Sequence, residues 1–221
     1  ELRFSRRLWD VVPNLPQKPS PYREFLAQSV FVDLWRGDTA ANAAHFLGVL
    51  KALGRDRLSY YTILQNWGAG GFDALLPDSI WLPEYPPNPA VGTVAELRRL
   101  CEIGKSMGRF GFRTNYMSLQ KASPSFRRGL AQYGVESDGK PGRWMRPADW
   151  LSVARRGDTE IQQRFAPNAS FTDQITSGGA PWAWHDYAAQ GGTRSIRRTL
   201  DHQKALATLI KTIHQGPLGS E

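Results

Sequence analysis

An α/β fold with a parallel sheet is predicted by three features of the sequence. Short apolar or β-branched runs alternate with longer amphipathic runs four times, which is the pattern of repeated strand–helix units. Polar and aromatic residues follow each strand, so they gather at one edge of the sheet. The segment 35–39, after the first strand, lacks the glycine fingerprint usual in a doubly wound sheet.

These features favour a (β/α)8 barrel, which takes about 250 residues when complete. Only the first four to five strands are visible, so we predict a partial barrel.

The first half of the chain supplies two strand–helix units and a long loop. Prolines 13, 16, 19 and 21 stand among polar residues, which is typical of a linker rather than a core element. Gly54 ends the first helical pattern. In order, this half contains a proline-rich N-terminal segment (1–28), a strand (29–37), a helix (40–53), a strand (57–67) and a loop (68–92). The barrel is expected to occupy residues 29–221.

The second half continues the alternation. Thr93 and Glu96 have the spacing of a capping box, which predicts the start of a helix. Pro167 and Asn168 break the next helical pattern just before a short β-branched run. In order, this half contains a helix (93–107), a strand (109–116), an excursion with a small hairpin (117–145), a helix (147–165), a strand (169–176), an aromatic loop (177–187), a helix (195–213) and the start of a fifth strand (216–221).

Composition and charge exclude several classes of protein. A hydrophobic content of 41% predicts a globular chain with a sizeable core. No apolar run is long enough to predict a membrane span. The net charge of +8 comes from scattered basic residues, so we predict a solvated surface and no nucleic-acid partner. The one cysteine, Cys101, lies in a helical pattern and is predicted to be a core residue.

The aromatic residues are typical of a sugar-binding site. The chain has 8 Trp, 7 Tyr and 10 Phe, and many stand beside Asn, Asp or Gly. Sugars stack their apolar faces on aromatic rings, and their hydroxyls need polar partners. The loop after the second strand offers Trp67 for stacking and Asp73 and Asp78 as hydroxyl acceptors. The alternative for this loop is a glycine-rich turn with aspartate caps.

Two carboxylates at strand ends, Asp173 and Glu221, form the candidate catalytic pair. Aspartate is disfavoured in strands, so the presence of Asp173 near the end of a buried strand indicates a specific role for its carboxylate. Hydrolysis of a glycosidic bond needs two carboxylates that flank the bond, and neighbouring strand ends can supply them. The alternatives are that Asp173 caps the next loop and that Glu221 is only a chain end.

Metal and phosphate chemistry are not indicated by the remaining motifs. The histidines at 45, 185, 202 and 214 lack the spacing of metal ligands, and no serine or cysteine elbow motif is present. No Lys-Ser or Lys-Thr pair follows the glycines of 68–71, which argues against a phosphate-binding loop. We predict no cofactor and leave a structural calcium ion open.

Several motifs resemble, in their order and spacing, the catalytic barrel of the endo-α-N-acetylgalactosaminidase and α-N-acetylgalactosaminidase glycoside hydrolases. The resemblance covers roughly residues 28–221. The motifs that carry it are Tyr60-Tyr61 with Gln65-Asn-Trp67, Gly70-Gly-Phe-Asp73 with Leu76-Pro-Asp78, Thr114-Asn-Tyr116, Ser170-Phe-Thr-Asp173 and Gln215-Gly-Pro-Leu-Gly-Ser-Glu221.

The resemblance implies a function and a set of site residues. The group uses a retaining mechanism, in which an aspartate at the end of the fourth strand is the nucleophile and a later glutamate is the acid/base. These roles would fall on Asp173 and Glu221. Asn115 and Tyr116, at the end of the third strand, and Asp186, in the aromatic loop, are further candidates for binding the carbohydrate substrate. The resemblance also implies the rest of a barrel and β-sandwich domains that this sequence does not contain.

The chain departs from this group at two positions, and two other protein classes remain open. Relatives often have histidine where this chain has Arg113, and aspartate where it has Asn66. Both positions bear on the identity of the sugar. The first alternative is a non-catalytic glycan-binding relative that keeps the aromatic residues. The second is a barrel enzyme of another class, such as a lyase or an isomerase.

Overall fold

Five parallel strands and four long helices make up the fold. The structure is a computed structural model, and it describes residues 19–35, 39–71, 73–78, 86–127, 144–176 and 196–220. The strands are β1 Ser29–Leu34, β2 Ser59–Leu64, β3 Gly108–Thr114, β4 Ala169–Thr172 and β5 Leu218–Gly219. The helices are α1 Arg23–Ala27, α2 Ala40–Ala52, α3 Val94–Ser106, α4 Pro124–Arg127, α5 Pro147–Phe165 and α6 Ile196–His214, with a 3-10 turn over Arg55–Arg57.

The strand order confirms the predicted barrel over a doubly wound sheet. The strands lie in the order β1-β2-β3-β4-β5, and every neighbouring pair is parallel. A doubly wound sheet reverses its strand order at a switch point, whereas a barrel adds each strand to the same edge. The five strands therefore form half of a barrel.

The two faces of the sheet carry separate apolar clusters. The four long helices all pack on one face, where Phe110 and Phe112 of β3 belong to the larger cluster. Tyr61 and Ile63 of β2 point to the opposite face, together with Ala169 and Phe171 of β4. This second face is the barrel interior, and residues two apart along a strand share it.

A short helix lies against the interior cluster, where the sequence predicted only a linker. Phe25 of α1 packs against that cluster, and the Ser29 hydroxyl donates to the Phe25 carbonyl at 2.6 Å. The Arg109 guanidinium lies 5.7 Å from the ring centres of both Tyr22 and Phe25, a cation–π distance. One turn of helix carries too weak a periodic signal to be predicted.

Local signals in the sequence account for the helix boundaries. The predicted capping box is present: the Glu96 amide donates to Thr93 Oγ1 at 3.3 Å, and the Thr93 amide donates to Glu96 Oε2 at 2.7 Å. Pro147 opens α5, as proline does at a first helical position. Cys101 is fully buried in α3, as predicted. The predicted hairpin at 137–140 lies outside the described residues.

Apolar side chains are exposed along the β1 side of the half-barrel. Phe31 of β1 is 51% exposed, and Leu53, just after α2, is 67% exposed. Val30, Trp35, Phe46 and Val49 are also exposed on this side. At the other edge, an apolar groove of about 280 Å³ runs between α6 and β5, lined by residues that include Leu200, Ala207 and Leu218. Parallel strands with free edges and uncovered apolar faces tend to associate.

Residues 1–221 expressed alone are therefore expected to self-associate and to melt without a cooperative transition. Size-exclusion chromatography with light scattering and a thermal scan would measure both properties. A soluble monomer with a sharp melting transition would contradict the expectation, because it would mean that the two edges need no covering strands.

Candidate functional site

The interior positions at the carboxyl ends of β3 and β4 bring three polar side chains together. Arg113 and Asn115 follow Gly111 at intervals of two residues, and Asp173 follows Phe171 in the same way. The register pairs Arg113 with Phe171, and the Asp173 amide donates to the Thr114 carbonyl at 2.9 Å. All three residues are at most 6% exposed.

The two oxygens of the Asp173 carboxylate have different surroundings. Oδ2 accepts a hydrogen bond from Nη2 of Arg113 and a longer one, at 3.3 Å, from Nδ2 of Asn115. Oδ1 is buried and has no hydrogen-bond partner among the described residues. A buried carboxylate oxygen without a partner is costly and needs an explanation. The arrangement fixes one oxygen and leaves the other without a partner.

Asn115 is oriented by the backbone that follows it. Its Oδ1 accepts from the amides of Met117 at 3.0 Å and Ser118 at 2.9 Å. Because backbone amides can only donate, the side-chain oxygen must face them, and the NH2 group must face Asp173. Nδ2 also lies 3.3 Å from Oε1 of Gln174, the residue after Asp173. The structure thus brings Asn115 beside Asp173, and its contact with a substrate stays a prediction.

Arg113 joins the loop after β2 to the candidate nucleophile. Its Nη2 lies 2.8 Å from Oδ1 of Asp73, so one guanidinium pairs with two carboxylates. The Arg113 side chain is 5% exposed, whereas that of Asp73 is 45% exposed. The structure thus places Asp73 in an ion pair with Arg113, and its role as an acceptor for a sugar hydroxyl stays a prediction. The sequence marked Arg113 only as a departure from relatives. Its interior position, two residues before Asn115, was the signal that could have identified it.

Trp67 occupies the core and does not form a wall of the site. It is 1% exposed, with its ring 4.8 Å from that of Phe112 and 5.9 Å from that of Phe165. Its indole N–H donates to the Arg113 carbonyl at 2.8 Å. A ring enclosed on both sides has no face for a sugar, so the stacking role predicted from sequence does not fit this position. Trp67 instead supports the strand end that carries Arg113.

Replacement of Trp67 with alanine is accordingly expected to destabilise the protein. Large-to-small changes of a buried aromatic residue typically cost about 3–5 kcal/mol. Trp67→Phe keeps most of the ring volume and should lose much less stability. Denaturant unfolding of both variants would measure the difference. Weakened sugar binding by Trp67→Ala with an unchanged midpoint would instead restore the stacking role.

Asp78 and Tyr116, two further predicted site residues, are fully buried. Asp78 is fully buried and accepts hydrogen bonds from the Ser123 hydroxyl, and from the amide and hydroxyl of Ser125, both at 2.6 Å. These bonds tie two loops together and leave no exposed oxygen for a substrate hydroxyl. Tyr116 is fully buried on the helix side, since it follows interior-facing Asn115 directly. Burial, and then the nearby charge of Asp158, raise the pKa of the Tyr116 phenol well above its usual value.

A second polar pair lies on the interior face at the ends of β1 and β2. Gln65 Nε2 donates to Asp33 Oδ1 at 2.6 Å, and Asp33 is exposed. Neither residue was predicted to bind substrate, although Gln65 stands in one of the motifs that carry the resemblance. The continued alternation Tyr61, Ile63, Gln65 was the available signal.

Two predicted site residues, Asp186 and Glu221, lie outside the described residues. Among the residues that the structure does describe, no three His, Cys, Asp or Glu side chains are grouped to hold a metal ion. The described helices include none long and apolar enough to cross a membrane.

Comparison with solved structures shows the same fold in several glycosidases. An α-N-acetylgalactosaminidase, NagBb from Bifidobacterium bifidum, solved with GalNAc, matches over 88% of this chain with 15% identity and a TM-score of 0.69. An α-galactosidase from Lactobacillus brevis matches over 87% of the chain with 11% identity and a TM-score of 0.60. The GH36 α-galactosidase AgaA from Geobacillus stearothermophilus matches over 87% with 12% identity and a TM-score of 0.59.

These matches concern only a part of each larger protein. This chain covers 34%, 26% and 28% of the three structures, respectively. No protein-family model matches the sequence, and a search of curated proteins finds no match. At these identities the comparisons show a shared fold alone, that of a partial (β/α)8 barrel.

Proposed function

We propose that this chain is the first half of the catalytic barrel of a retaining glycoside hydrolase that acts on α-linked sugars. The observation that carries the proposal is Asp173: a buried carboxylate at the carboxyl end of β4, with Oδ2 held and Oδ1 left without a partner. In barrel enzymes the active site lies at this end of the strands. The fold shared with three glycosidases adds support.

The second carboxylate of the proposal is Glu221. Gly219 of β5 faces the interior, since a Cβ added to it would meet the Tyr61 hydroxyl at 2.7 Å and the Phe171 ring at 2.8 Å. Gly219 also pairs in register with Phe171. Two residues after this pair come Asp173 in one segment of the sequence and Glu221 in the other, although Glu221 itself lies outside the described residues. Adjacent strands are about 4.8 Å apart, which suits the roughly 5–5.5 Å between the carboxyl groups of a retaining enzyme.

The proposed reaction has two steps. Asp173 Oδ1 attacks the anomeric carbon while Glu221 donates a proton to the glycosidic oxygen; the bond between that carbon and oxygen breaks, and the alcohol leaves. Glu221 then takes a proton from water, which attacks the same carbon and releases Asp173. Two inversions give a product with the α configuration of the substrate.

An α-N-acetylgalactosaminide is the substrate that we favour. The motif resemblance and the NagBb structure both indicate this sugar, while the two α-galactosidases indicate the same α linkage on galactose. A panel of aryl α-glycosides tested with the full-length protein would decide among sugars. The proposal expects hydrolysis of the α-N-acetylgalactosaminide, and absence of hydrolysis across the α-linked panel would overturn it.

A non-catalytic glycan-binding protein is the second candidate, favoured by one observation. Arg113 forms an ion pair with Asp173, the carboxylate that would attack the anomeric carbon. A carboxylate in a charge-assisted hydrogen bond with a guanidinium is a weaker nucleophile. Sugar binding measured by calorimetry, without turnover of an activated glycoside, would select this candidate.

A further inference from the structure

Arg113 pairs with two carboxylates, and only one of them is the candidate nucleophile. Its Nη2 lies 2.8 Å from Asp73 Oδ1 and donates a hydrogen bond to Asp173 Oδ2. Arg113 and Asp173 are buried, whereas Asp73 is exposed. We call these three side chains the Arg113 cluster. Two carboxylates and one guanidinium give the cluster a net negative charge, whereas Asp173 alone would form a neutral pair with Arg113.

The backbone of the loop after β2 is strained where it presents Asp73. Asp73 has a φ of 58° and Leu75 has a φ of 57°, both in the left-handed region. Aspartate adopts this region more readily than most residues, but a bulky residue such as leucine rarely does. Such a backbone persists only where the surrounding structure holds it, and it is concentrated at functional sites. The strain therefore indicates that the placement of Asp73 has a role.

Hydrogen bonds to the segment after β3 hold this loop in place. The Leu76 carbonyl accepts from the Gln120 amide at 2.9 Å. The buried Asp78 carboxylate accepts from the amide and the hydroxyl of Ser125, both at 2.6 Å. Because this segment continues directly from β3, the loop is fixed relative to the strand that carries Arg113. Asp73 is thus held beside the guanidinium by more than the ion pair itself.

Attack by Asp173 would change the charge that Arg113 faces. Formation of the glycosyl ester neutralises Asp173, so a buried guanidinium loses one of its charged partners. Removal of a partner from a buried ion pair is strongly destabilising. Asp73 keeps a carboxylate on the same nitrogen throughout the reaction, and its exposure to solvent lowers the desolvation penalty of that charge. Arg113 therefore opposes the attack less than it would without Asp73.

We propose that Asp73 is a positioning residue that balances the charge of Arg113 and thereby leaves Asp173 reactive. It acts through Arg113 and does not contact the substrate, which separates this role from that of an acceptor for a sugar hydroxyl. The effect on the reaction rests on the proposed function. The coupling between Asp73 and Arg113 does not, and it can be measured without any substrate.

Kinetics of Asp73→Asn in the full-length protein test this role. Asparagine also adopts the left-handed region readily, so the backbone of the loop is preserved. The rate constant for formation of the glycosyl ester, measured in single turnovers, should fall about 10- to 100-fold, as expected for one charge several ångströms away in a partly buried site. The substrate concentration that gives half of the maximal rate should change little. A raised half-saturating concentration with an unchanged rate constant would select the hydroxyl acceptor and overturn the proposal.

Asp149→Asn is the matched control for the loss of an ion pair. The Asp149 carboxylate lies 2.8 Å from Arg146 Nε at the start of α5, in the helical layer rather than in the barrel interior. The same change of a carboxylate to an amide should leave the rate constant unchanged at this position. A loss equal to that of Asp73→Asn would overturn the proposal.

The charge of the ligand separates the two roles independently. Calorimetry would compare neutral N-acetylgalactosamine with the corresponding iminosugar, whose ring nitrogen is protonated. Removal of one negative charge from the Arg113 cluster should weaken binding of the iminosugar about 10-fold or more and leave binding of the neutral sugar within about twofold. Equal weakening of both ligands would indicate a lost hydroxyl contact and overturn the proposal.

A double-mutant cycle with Arg113→Gln measures the coupling directly. Removal of the guanidinium leaves no charge for Asp73 to balance, so Asp73→Asn should change the unfolding free energy and the rate constant much less in this background. Additive effects on both quantities would overturn the proposal. If Arg113→Gln fails to fold, the comparison of ligands in Asp73→Asn decides by itself. A wild-type protein that neither binds nor hydrolyses α-glycosides would overturn the proposed function, whereas the cycle in unfolding free energy would still decide the coupling.

Discussion

Replacement of Asp173 with asparagine in the full-length protein is expected to abolish turnover of every α-glycoside, natural or activated. The amide keeps the shape of the carboxylate and can still accept from Arg113 and Asn115, but it cannot form the glycosyl ester. We expect a loss of at least about 10⁴-fold in kcat, or roughly 5.4 kcal/mol of transition-state stabilisation. Steady-state kinetics on an activated aryl glycoside would measure it.

The stability of this variant should change little, which separates chemistry from folding. Arg113 retains Asp73 at 2.8 Å as a charged partner, so no guanidinium is left buried alone. Asp201→Asn is a matched control, because Asp201 is exposed on the outer helix α6. Full activity of Asp173→Asn, confirmed by mass spectrometry to be free of deamidated protein, would rule out Asp173 as the nucleophile.

Replacement of Glu221 with alanine is expected to have a large effect that depends on the leaving group. General acid catalysis contributes about 10²–10⁴-fold, and natural glycans need all of it because their leaving alcohols are poor. Activated aryl groups leave with little protonation, so their glycosides should lose much less. Rates across a series of leaving groups would measure this dependence.

Azide provides an independent check on Glu221. In Glu221→Ala, the small anion can attack the glycosyl ester without a general base, so it should restore turnover and give an α-glycosyl azide. Equal losses for natural and activated substrates, with no azide rescue, would exclude Glu221 as the acid/base. A first-formed wild-type product of inverted configuration would exclude the retaining mechanism.

Most of the fold could be predicted because local signals agreed with the tertiary structure. Helix α5 has the predicted bounds, since Pro147 opens it and a break at Pro167 follows it. The capping box at Thr93 predicted the start of α3. The parallel order followed from strand–helix alternation alone. The short helix α1 was missed, because its place depends on contacts with β3 and the interior cluster rather than on its own sequence.

The candidate site was predicted less completely, for reasons that differ among residues. Asn115 and Tyr116 are consecutive, so the two-residue period of a strand allows only one of them to face the interior. Trp67 and Asp78 stand beside polar and glycine residues in the sequence, which suggested that their side chains are exposed. In the structure both side chains are buried, and each forms a hydrogen bond with a residue far away along the chain: Trp67 with the Arg113 carbonyl, and Asp78 with Ser125. Such partners, 46 and 47 residues away along the chain, leave no local signal.

Capture of the covalent intermediate tests the central claim most directly. A 5-fluoro α-glycosyl fluoride of the best substrate should inactivate the full-length protein. The fluorine on the ring slows both formation and hydrolysis of the glycosyl ester, whereas the reactive fluoride leaving group speeds only its formation, so the ester accumulates. Proteolysis and tandem mass spectrometry should then locate one sugar on Asp173. Attachment to another residue, or the absence of any adduct in an enzyme that turns over the parent glycoside, would contradict the assignment of Asp173 as the nucleophile.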